Sequence, residues 1–502
     1  MTVAKVYSAA PIGFDGKVIE IEGDATRGLP SMQIVGLANK SIDEAKERVK
    51  SALANSLLEY PARRLTINLA PAELPKEGTH YDLPIALAIL VASGQLRQAE
   101  VANASFAGEL ALDGSIRPIK GAISITETSR DAGLATVYLP IDNVDQASLV
   151  EDITVIGLRT LKELFLHLKG EHTIEPTITV TNHQDPTPST TQALLDDIVG
   201  QAQAKRALII AAAGRHNLLL KGPPGTGKTM LAQTLLHLLP TPGPKEQLEI
   251  TKMLSLGGEA IDTVVRHRPF RTPHHTASRI AIIGGGSNPK PGEISLAHRG
   301  VLFLDEMPEY PRSTLEALRQ PLEDRHVAIS RAQGKILYPA DFTLIATMNP
   351  CPCGYYGDSS RECICSPIQI SSYQKRLSGP LLDRIDIIVT VPRVAHETLL
   401  DHNSLSDSQH TSAQKSINTA LSRQQNRYKD SGKYNNMLSS REIRSLIKLD
   451  TASKQLLATA TEKLHLSTRA HFRILRVART IADLEDSDIV TSSHIAEALQ
   501  YR

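Results

Sequence analysis

This chain of 502 residues has no tryptophan, only 4% aromatic residues, four cysteines and a net charge of just +1. Each scarcity excludes something. Without tryptophan, a platform for stacking single-stranded bases must be built from Tyr, Phe, His or Arg. All four cysteines lie between Cys351 and Cys365. In a reducing compartment that clustering points to a metal site more than to disulfides, and a chain this long buries large cores without staples. No apolar run reaches the length of a membrane span, and Met1 to Ser8 carries no apolar signal segment. The expectation is a cytoplasmic protein with no membrane partner. Near-zero net charge excludes no partner, because basic residues can be concentrated locally. The 41% hydrophobic and 22% charged content is ordinary for a globular chain, and the length predicts about two to four domains.

The densest signal is Gly222-Pro223-Pro224-Gly225-Thr226-Gly227-Lys228-Thr229. It fits the phosphate-binding loop pattern, with Lys228 for the outer phosphates and the Thr229 hydroxyl for Mg²⁺. The glycines let backbone N–H groups face one phosphate cluster, and the helix that follows adds its positive end. An apolar run (Asn217 to Leu220) reads as a buried strand before the loop, and Met230 to Leu239 reads as a helix after it. Those flanks argue against a mere Gly/Pro turn. Val301-Leu302-Phe303-Leu304 reads as a second buried parallel strand, ending in Asp305 and Glu306. Asp305 can hold Mg²⁺ through water, and Glu306 can orient or deprotonate the attacking water.

Residues 1–168 read as a mixed α/β domain. Short strand signals (Val3–Tyr7, Val18–Glu22, Met32–Val35, Leu65–Leu69) surround a helix carrying Ile42, Ala45, Val49, Ala52 and Leu53 on one face, and Asp82 to Ser93 reads as a second, nearly all-apolar helix. Lys76-Glu77-Gly78-Thr79-His80 and Pro118-Ile119-Lys120-Gly121 resemble segments of the Lon-type protease fold. In that family a Ser nucleophile and a Lys base occupy the positions that fall here near His80 and Ile125. A nucleophile without its base does no covalent chemistry, so the expectation is a Lon-like domain without peptidase activity. Lys76 and Lys120 are expected as surface charge or phosphate contacts. Residues 169–192 are polar and rich in Pro and Thr, the composition of a linker that lets the first domain move.

Ile198-Val199-Gly200-Gln201 looks like the adenine-side segment of AAA+ ATPases. The likeness continues through Leu344 to Asn349 and through Ser378 to Asp386. It implies a sensor role for Asn349, which positions water near the γ-phosphate. It implies an arginine finger at Arg384, worth roughly 10³–10⁵ in rate on a neighbour's nucleotide, and a second sensor at Arg469. Taken with Arg271-Thr272-Pro273-His274-His275-Thr276, Pro291 to Gly300 and Asn349-Pro350-Cys351-Pro352-Cys353-Gly354, the chain resembles the magnesium-chelatase-like AAA+ proteins of the ComM/YifB branch. The resemblance implies an ATP- and Mg²⁺-dependent helicase, a homo-hexamer acting on single-stranded and branched DNA, that promotes branch migration in natural transformation. The alternatives are a chelatase-type ATPase subunit and a protein-remodelling chaperone; no acidic metal-coordination domain is evident for the former.

Two loops carry local basic charge. Leu254 to Arg299 reads as an insertion with Arg266, Arg268 and Arg271 placed for DNA phosphates, and adjacent His274 and His275 are expected to point apart. His326 to Tyr338 reads as a hairpin with Arg331 and Lys335 near its tip. Cys351, Cys353, Cys363 and Cys365 can close a tetrahedral structural Zn²⁺ site, with no open position for catalysis. The predicted architecture is therefore α/β: a Lon-like domain (1–168), a linker (169–192), an AAA+ parallel-sheet core (193–392) and a helical lid (393–502). In the lid, Asn403 to Ser416 reads as a flexible connection, Ser440–Leu449, Thr451–Lys463, Thr468–Leu484 and Thr491–Gln500 read as helices, and Arg473, Arg476 and Arg479 read as core-edge salt bridges.

Overall fold

The computed structural model describes residues 3–36, 40–74, 76, 78–176, 193–259, 263–286, 289–331, 334–358, 361–394, 408–430 and 432–502, without the side chains of 40, 41, 43, 331, 334 and 408. Alternating burial in β1 (Ala4–Ile12) and β2 (Asp15–Thr26) reflects strands with one face on the core. They pair antiparallel and join β3 (Ser31–Val35), β4 (Arg64–Ala70), β5 (Ala104–Phe106), β6 (Thr136–Pro140) and β7 (Thr154–Leu158) in a seven-stranded sheet of order β3-β4-β2-β1-β5-β6-β7. The periodic residues of α1 (Lys40–Asn55) are buried as their spacing predicts. Helix α2 (Asp82–Ala92) is buried from Asp82 to Leu90, which explains why its sequence is apolar on all sides. The domain continues with α3 (Ala122–Asp131) and closes with α4 (Leu161–Leu168).

The second sheet is built from largely apolar runs. β8 (Leu218–Lys221), β9 (Phe270–Arg271), β10 (Val301–Leu304), β13 (Thr343–Met348) and β14 (Ile387–Thr390) form a parallel sheet of order β9-β10-β13-β8-β14. β10 and β13 are buried along their whole length, as parallel strands covered on both faces must be. Strands β11 (His326–Arg331) and β12 (Gly334–Pro339) form the expected antiparallel hairpin. Helices α5 (Ala202–Gly214), α6 (Lys228–Leu238) and α7 (Pro244–Gly257) belong to this core. The stretch expected as a loop from Leu254 onward instead begins inside α7 and contains further short helices.

Near the end of the core lie α8 (Arg319–Asp324), α9 (Pro367–Gln374) and α10 (Gly379–Leu382). The lid comprises α11 (Ser408–Tyr428), α12 (Ser440–Leu446), α13 (Thr451–Lys463), α14 (Thr468–Leu484) and α15 (Ser492–Gln500). Helix α11 corrects the reading of 408–416 as a flexible connection; residues 403–407 lie outside the described set. Its Ala413, Ile417, Ala420 and Leu421 recur at helical spacing and join one apolar cluster with α5, α14 and β8, so burial overrides a polar sequence. Among the described residues, Arg473 and Arg476 do not form the salt bridges expected of them. Arg473 donates to the carbonyls of Leu382 and Ile385, and Arg476 to that of Leu438. Arg479 does bridge Asp483, at 3.0 Å, with both side chains buried.

The first domain is docked on the core. Lys252 of α7 pairs with Glu127 of α3 and lies 4.2 Å from the ring centroid of Phe14 at the β1–β2 turn. The N–H of Gly121 donates to Ser255 Oγ at 3.1 Å, and Gln146 Nε2 to the carbonyl of Thr263 at 2.8 Å. Lys252 is only 5% exposed. The free swing expected from the linker composition meets this buried seam; residues 177–192 lie outside the described set.

Candidate active site

The phosphate loop runs from the end of β8 into the first turn of α6. Gly225 and Gly227 have φ of 78° and 81°, the left-handed region that favours glycine. A Cβ at either would meet nothing, so conformation sets the residue there. At Gly222 the reason is space: a Cβ would lie 2.2 Å from the carbonyl oxygen of Val391. Thr229 is exposed on the first turn of α6.

Lys228 Nζ donates to the carbonyls of Gly222 (2.8 Å) and Pro223 (2.7 Å) and approaches Asn349 Oδ1 at 3.3 Å. Burial pulls its pKa below the ordinary lysine range, while Asp305 and Glu306 raise it again in part. Strands β8, β10 and β13 thus bring Lys228, Asp305, Glu306 and Asn349 to one sheet edge, the carboxyl end of a parallel sheet where such sites form. Beside the loop is a cavity of about 450 Å³ walled by Ile198, Val199, Pro224, Met230, Arg393 and Val394. Gly200 follows with φ 66° against Val394. A larger cavity, about 950 Å³, lies beside Glu309, Arg312 and Arg376; α9 begins in its wall at Pro367, but among the described residues no glycine loop lines it.

One residue that sequence reasoning missed organises the carboxylates. Thr347 Oγ1 donates to Asp305 Oδ1 at 2.5 Å and accepts from the N–H of Glu306 at 2.9 Å. Glu306 has φ 48°, a strained left-handed turn for a non-glycine residue, and the Thr347 hydroxyl ties its N–H to the neighbouring strand. The available signal was a hydroxyl in an otherwise apolar strand, two residues before Asn349.

The two predicted arginines meet at a second missed residue. Glu323 on α8 pairs with Arg384 through Oε2 and with Arg469 through Oε1, the latter at 2.6 Å. Arg384 also donates to the carbonyl of Pro380 at 2.6 Å. Ser467 caps α14 by accepting from the N–H of Ala470 at 3.2 Å, which places Arg469 in the first turn, as its sequence predicts.

The basic loop residues divide. Arg268 is buried, bonded to the carbonyls of Pro240 and Arg299 and paired with Glu246 at 2.7 Å. Arg271 is clamped between Glu259 (2.8 Å) and Glu293 (2.6 Å), which hold its guanidinium well above the ordinary arginine range. Both are corrected from DNA contacts to structural ion pairs: their charge is already neutralised inside the chain. Arg266 is half-buried. Lys335 is exposed near the hairpin tip; the backbone of Arg331 pairs with Gly334, and the Arg331 side chain lies outside the described set. His274 and His275 do not point apart: their ring centroids are 4.1 Å from each other.

The cysteines do converge. All four Sγ atoms lie within 4.8 Å of one another. Cys351 is 3.3 Å from Cys353, and each is 3.6 Å from Cys363. Tetrahedral zinc with Zn–S of about 2.3 Å needs S···S of about 3.8 Å, so the donor set fits the metal.

In the first domain, Lys76 corrects the surface-charge expectation: it is fully buried with Nζ on the carbonyl of Pro71. His80 is buried with Nε2 unpartnered, and burial lowers its pKa to about 4. Ile125 is buried, while Lys120 is exposed.

A glycine loop at a helix start, an acidic pair after the third strand of this sheet in chain order and a polar amide after its spatial neighbour define a P-loop ATPase core of the AAA+ class. Sequence comparison agrees. Family models described as magnesium chelatase, subunit ChlI; subunit ChlI of Mg-chelatase; and magnesium chelatase, subunit ChlI C-terminal match residues 194–399, 21–143 and 407–502. YifB of Escherichia coli is 44% identical over 100% of this chain and 97% of its own length. The competence protein ComM of Haemophilus influenzae is 44% identical over 100% of this chain and 98% of its own. A magnesium-chelatase 67 kDa subunit of Heliobacterium mobile is 28% identical over 30% of the chain and 27% of its own length. The chain belongs to the ComM/YifB family of magnesium-chelatase-like AAA+ proteins. Among the described residues, no helix is long and apolar enough to cross a membrane.

Proposed function

We propose that this chain is an ATP-driven DNA motor of the cytoplasm that works as a ring of six copies and promotes branch migration on single-stranded and branched DNA during natural transformation. The observation that carries the ring is the placement of Arg384 and Arg469. Both engage Glu323 instead of the phosphate loop of their own chain. Arg384 serves the nucleotide of the next copy, and Arg469 acts as the second sensor on ATP phosphates. Full-length likeness to a protein named for competence supports the DNA substrate, as does a hairpin with an exposed Lys335.

The chemistry follows from the residues. Lys228 exchanges the carbonyls of Gly222 and Pro223 for phosphate oxygens, gaining a charged partner for neutral ones. Thr229 and Asp305 would hold Mg²⁺, which would supply neutralisation of the charge on the phosphates. Glu306 takes the proton of the attacking water, and Asn349 orients that water. Ile198, Val199 and Gly200 line the base side. Lys335 and Arg331 grip phosphates in a sequence-independent, salt-sensitive way, and Arg266 is retained as a phosphate contact. The first domain, Lon-like and without peptidase chemistry, acts as a scaffold on α7. The four cysteines hold a structural Zn²⁺.

ATPase assays with and without branched DNA, beside strand-exchange assays and native mass, test the reading. Hexamers, DNA-stimulated hydrolysis and strand movement are expected; absence of both DNA responses defeats it. The three family models favour a second reading, a chelatase-type ATPase subunit. That reading expects hydrolysis indifferent to DNA.

A further inference from the structure

We infer that the Cys351–Cys365 loop is a metal-dependent strut of the nucleotide site, so that zinc occupancy sets the affinity for ATP. The inference rests on the reading of the cysteines as a zinc site. It adds that the metal acts on a ligand it does not touch.

Three contacts tie the loop to the site. First, Cys351 follows Asn349 by two residues, and the carbonyl of the intervening Pro350 accepts from Gln374 Nε2 of α9 at 3.0 Å. The strand that presents the amide to Lys228 therefore runs straight into the first ligand. Second, Gly354 lies on the phosphate loop. Its φ is 88°, and a Cβ there would stand 2.7 Å from Pro224 Cδ. Third, Arg393, which walls the nucleotide cavity, lies over the Tyr355 ring at 5.6 Å and pairs with Asp358 at 2.9 Å. Arg361 covers the same ring at 4.2 Å. Tyr355, Asp358 and Arg361 all fall between the two cysteine pairs.

Among the described residues, the loop's own ties are two turn bonds, Gly354 N–H to the Cys351 carbonyl and Asp358 N–H to the Tyr355 carbonyl (each 3.0 Å), the Arg361 guanidinium on Tyr355 Oη (2.9 Å), and thiol contacts, including the N–H of Tyr356 on Cys351 Sγ at 3.3 Å. Four thiolate bonds convert it into a closed ring whose outer wall bears on Pro224 and Arg393. Fixing those groups in advance reduces the ordering left to nucleotide binding. The cost is negative charge from four thiolates near a triphosphate. Arg361 and Arg393, both over the Tyr355 ring, supply positive charge that offsets it.

The test uses the full chain. Elemental analysis of protein purified without chelator should find one zinc per chain, and cobalt exchange should give thiolate charge-transfer and tetrahedral d–d bands. A fluorescent ATP analogue is then titrated into zinc-loaded, stripped and reloaded protein, with circular dichroism to confirm folding. Stripping should weaken binding about tenfold or more, and reloading should restore it. Gly354→Ala keeps all four ligands but presses on Pro224; it should retain zinc and still bind the analogue several-fold more weakly. Cys353→Ser should lose both. A chain that carries no zinc and takes up no cobalt overturns the metal reading. Folded, stripped protein that binds the analogue as tightly as loaded protein overturns the strut alone, as does Gly354→Ala with unchanged affinity.

Discussion

Around His80 in the first domain, the polar atoms are sealed: His80 Nε2 and Tyr81 Oη are buried with no hydrogen-bond partner among the described residues, and Lys76 is spent on a carbonyl. Around Lys228 in the core, the arrangement is reversed. Thr229 is exposed, Lys228 is half-buried, and an open cavity adjoins the loop. Both regions place a basic side chain and a glycine turn at the end of a strand that leads into a helix. Only in the core can the reactive atoms reach a substrate. Burial of polar groups without partners costs stability and yields no chemistry; the open site keeps its groups solvated until a phosphate replaces the water. A turn sequence therefore marks a place for chemistry, and access decides whether any occurs there.

The sharpest way to break this contrast is Arg384→Ala. Hydrolysis should fall by roughly 10³-fold or more while nucleotide binding persists. Mixing Arg384→Ala with Lys228→Ala chains should recover part of the activity, because some interfaces then pair an intact Lys228 with an intact Arg384. No recovery would place the finger within its own subunit.

Next in size is Asp341→Asn. Asp341 bridges Arg299 (2.8 Å), Arg325 (3.0 Å) and Arg215 (3.2 Å). Burial raises its pKa, but the three guanidinium groups outweigh that and hold the carboxyl at about 2. Removing the charge leaves the buried Arg215 and the half-buried Arg299 and Arg325 with fewer partners and should cost about 3 kcal/mol by denaturant unfolding. The sign in pH follows: the contribution is complete above the unfolded value near 3.8 and is lost as pH falls toward 2.

Thr347→Val keeps the shape of β13 and removes the hydroxyl shared by Asp305 and Glu306. It should lower kcat about ten- to a hundredfold with little change in ATP affinity. Equal loss of affinity would mean that Thr347 supports the phosphate loop instead.

His80→Gln turns to the sealed side. Burial lowers the folded pKa from 6.5 to about 4, so the unfolded chain takes up this proton first as pH falls. Stability is therefore lost between those values, by about 1.4 kcal/mol per pH unit at the steepest. The variant should lose less stability than the parent across that window in calorimetry; parallel curves would show that His80 is not protonated on unfolding. The smallest effect is expected from Lys335→Ala, which should reduce the salt dependence of DNA binding by about one phosphate contact and leave DNA-free hydrolysis unchanged.

Much of the core was legible because its signals are local. The runs at 218–220, 301–304 and 344–346 are apolar without interruption, and the phosphate loop sits between a strand and a helix. Arg268 was misread for the opposite reason. Its partner Glu246 lies 22 residues away on α7, and nothing in the local sequence marks the pair. Lys76 looked like surface charge because a lysine in a Pro/Gly turn normally is one. Helix α11 was half missed because its buried positions are spaced along a polar sequence.

By itself, the sequence determined the class of chemistry, the two α/β layers and the ligand types available at each point, because glycine, lysine and paired carboxylates at set spacing admit few geometries. It also marked Arg384 and Arg469 through resemblance. Only the tertiary structure decided that these two share Glu323, that Thr347 joins Asp305 to Glu306, and that the four cysteines converge beside Pro224. Those outcomes depend on side chains distant in the chain meeting at a few ångströms, where burial and charge are set jointly by all the elements that pack there.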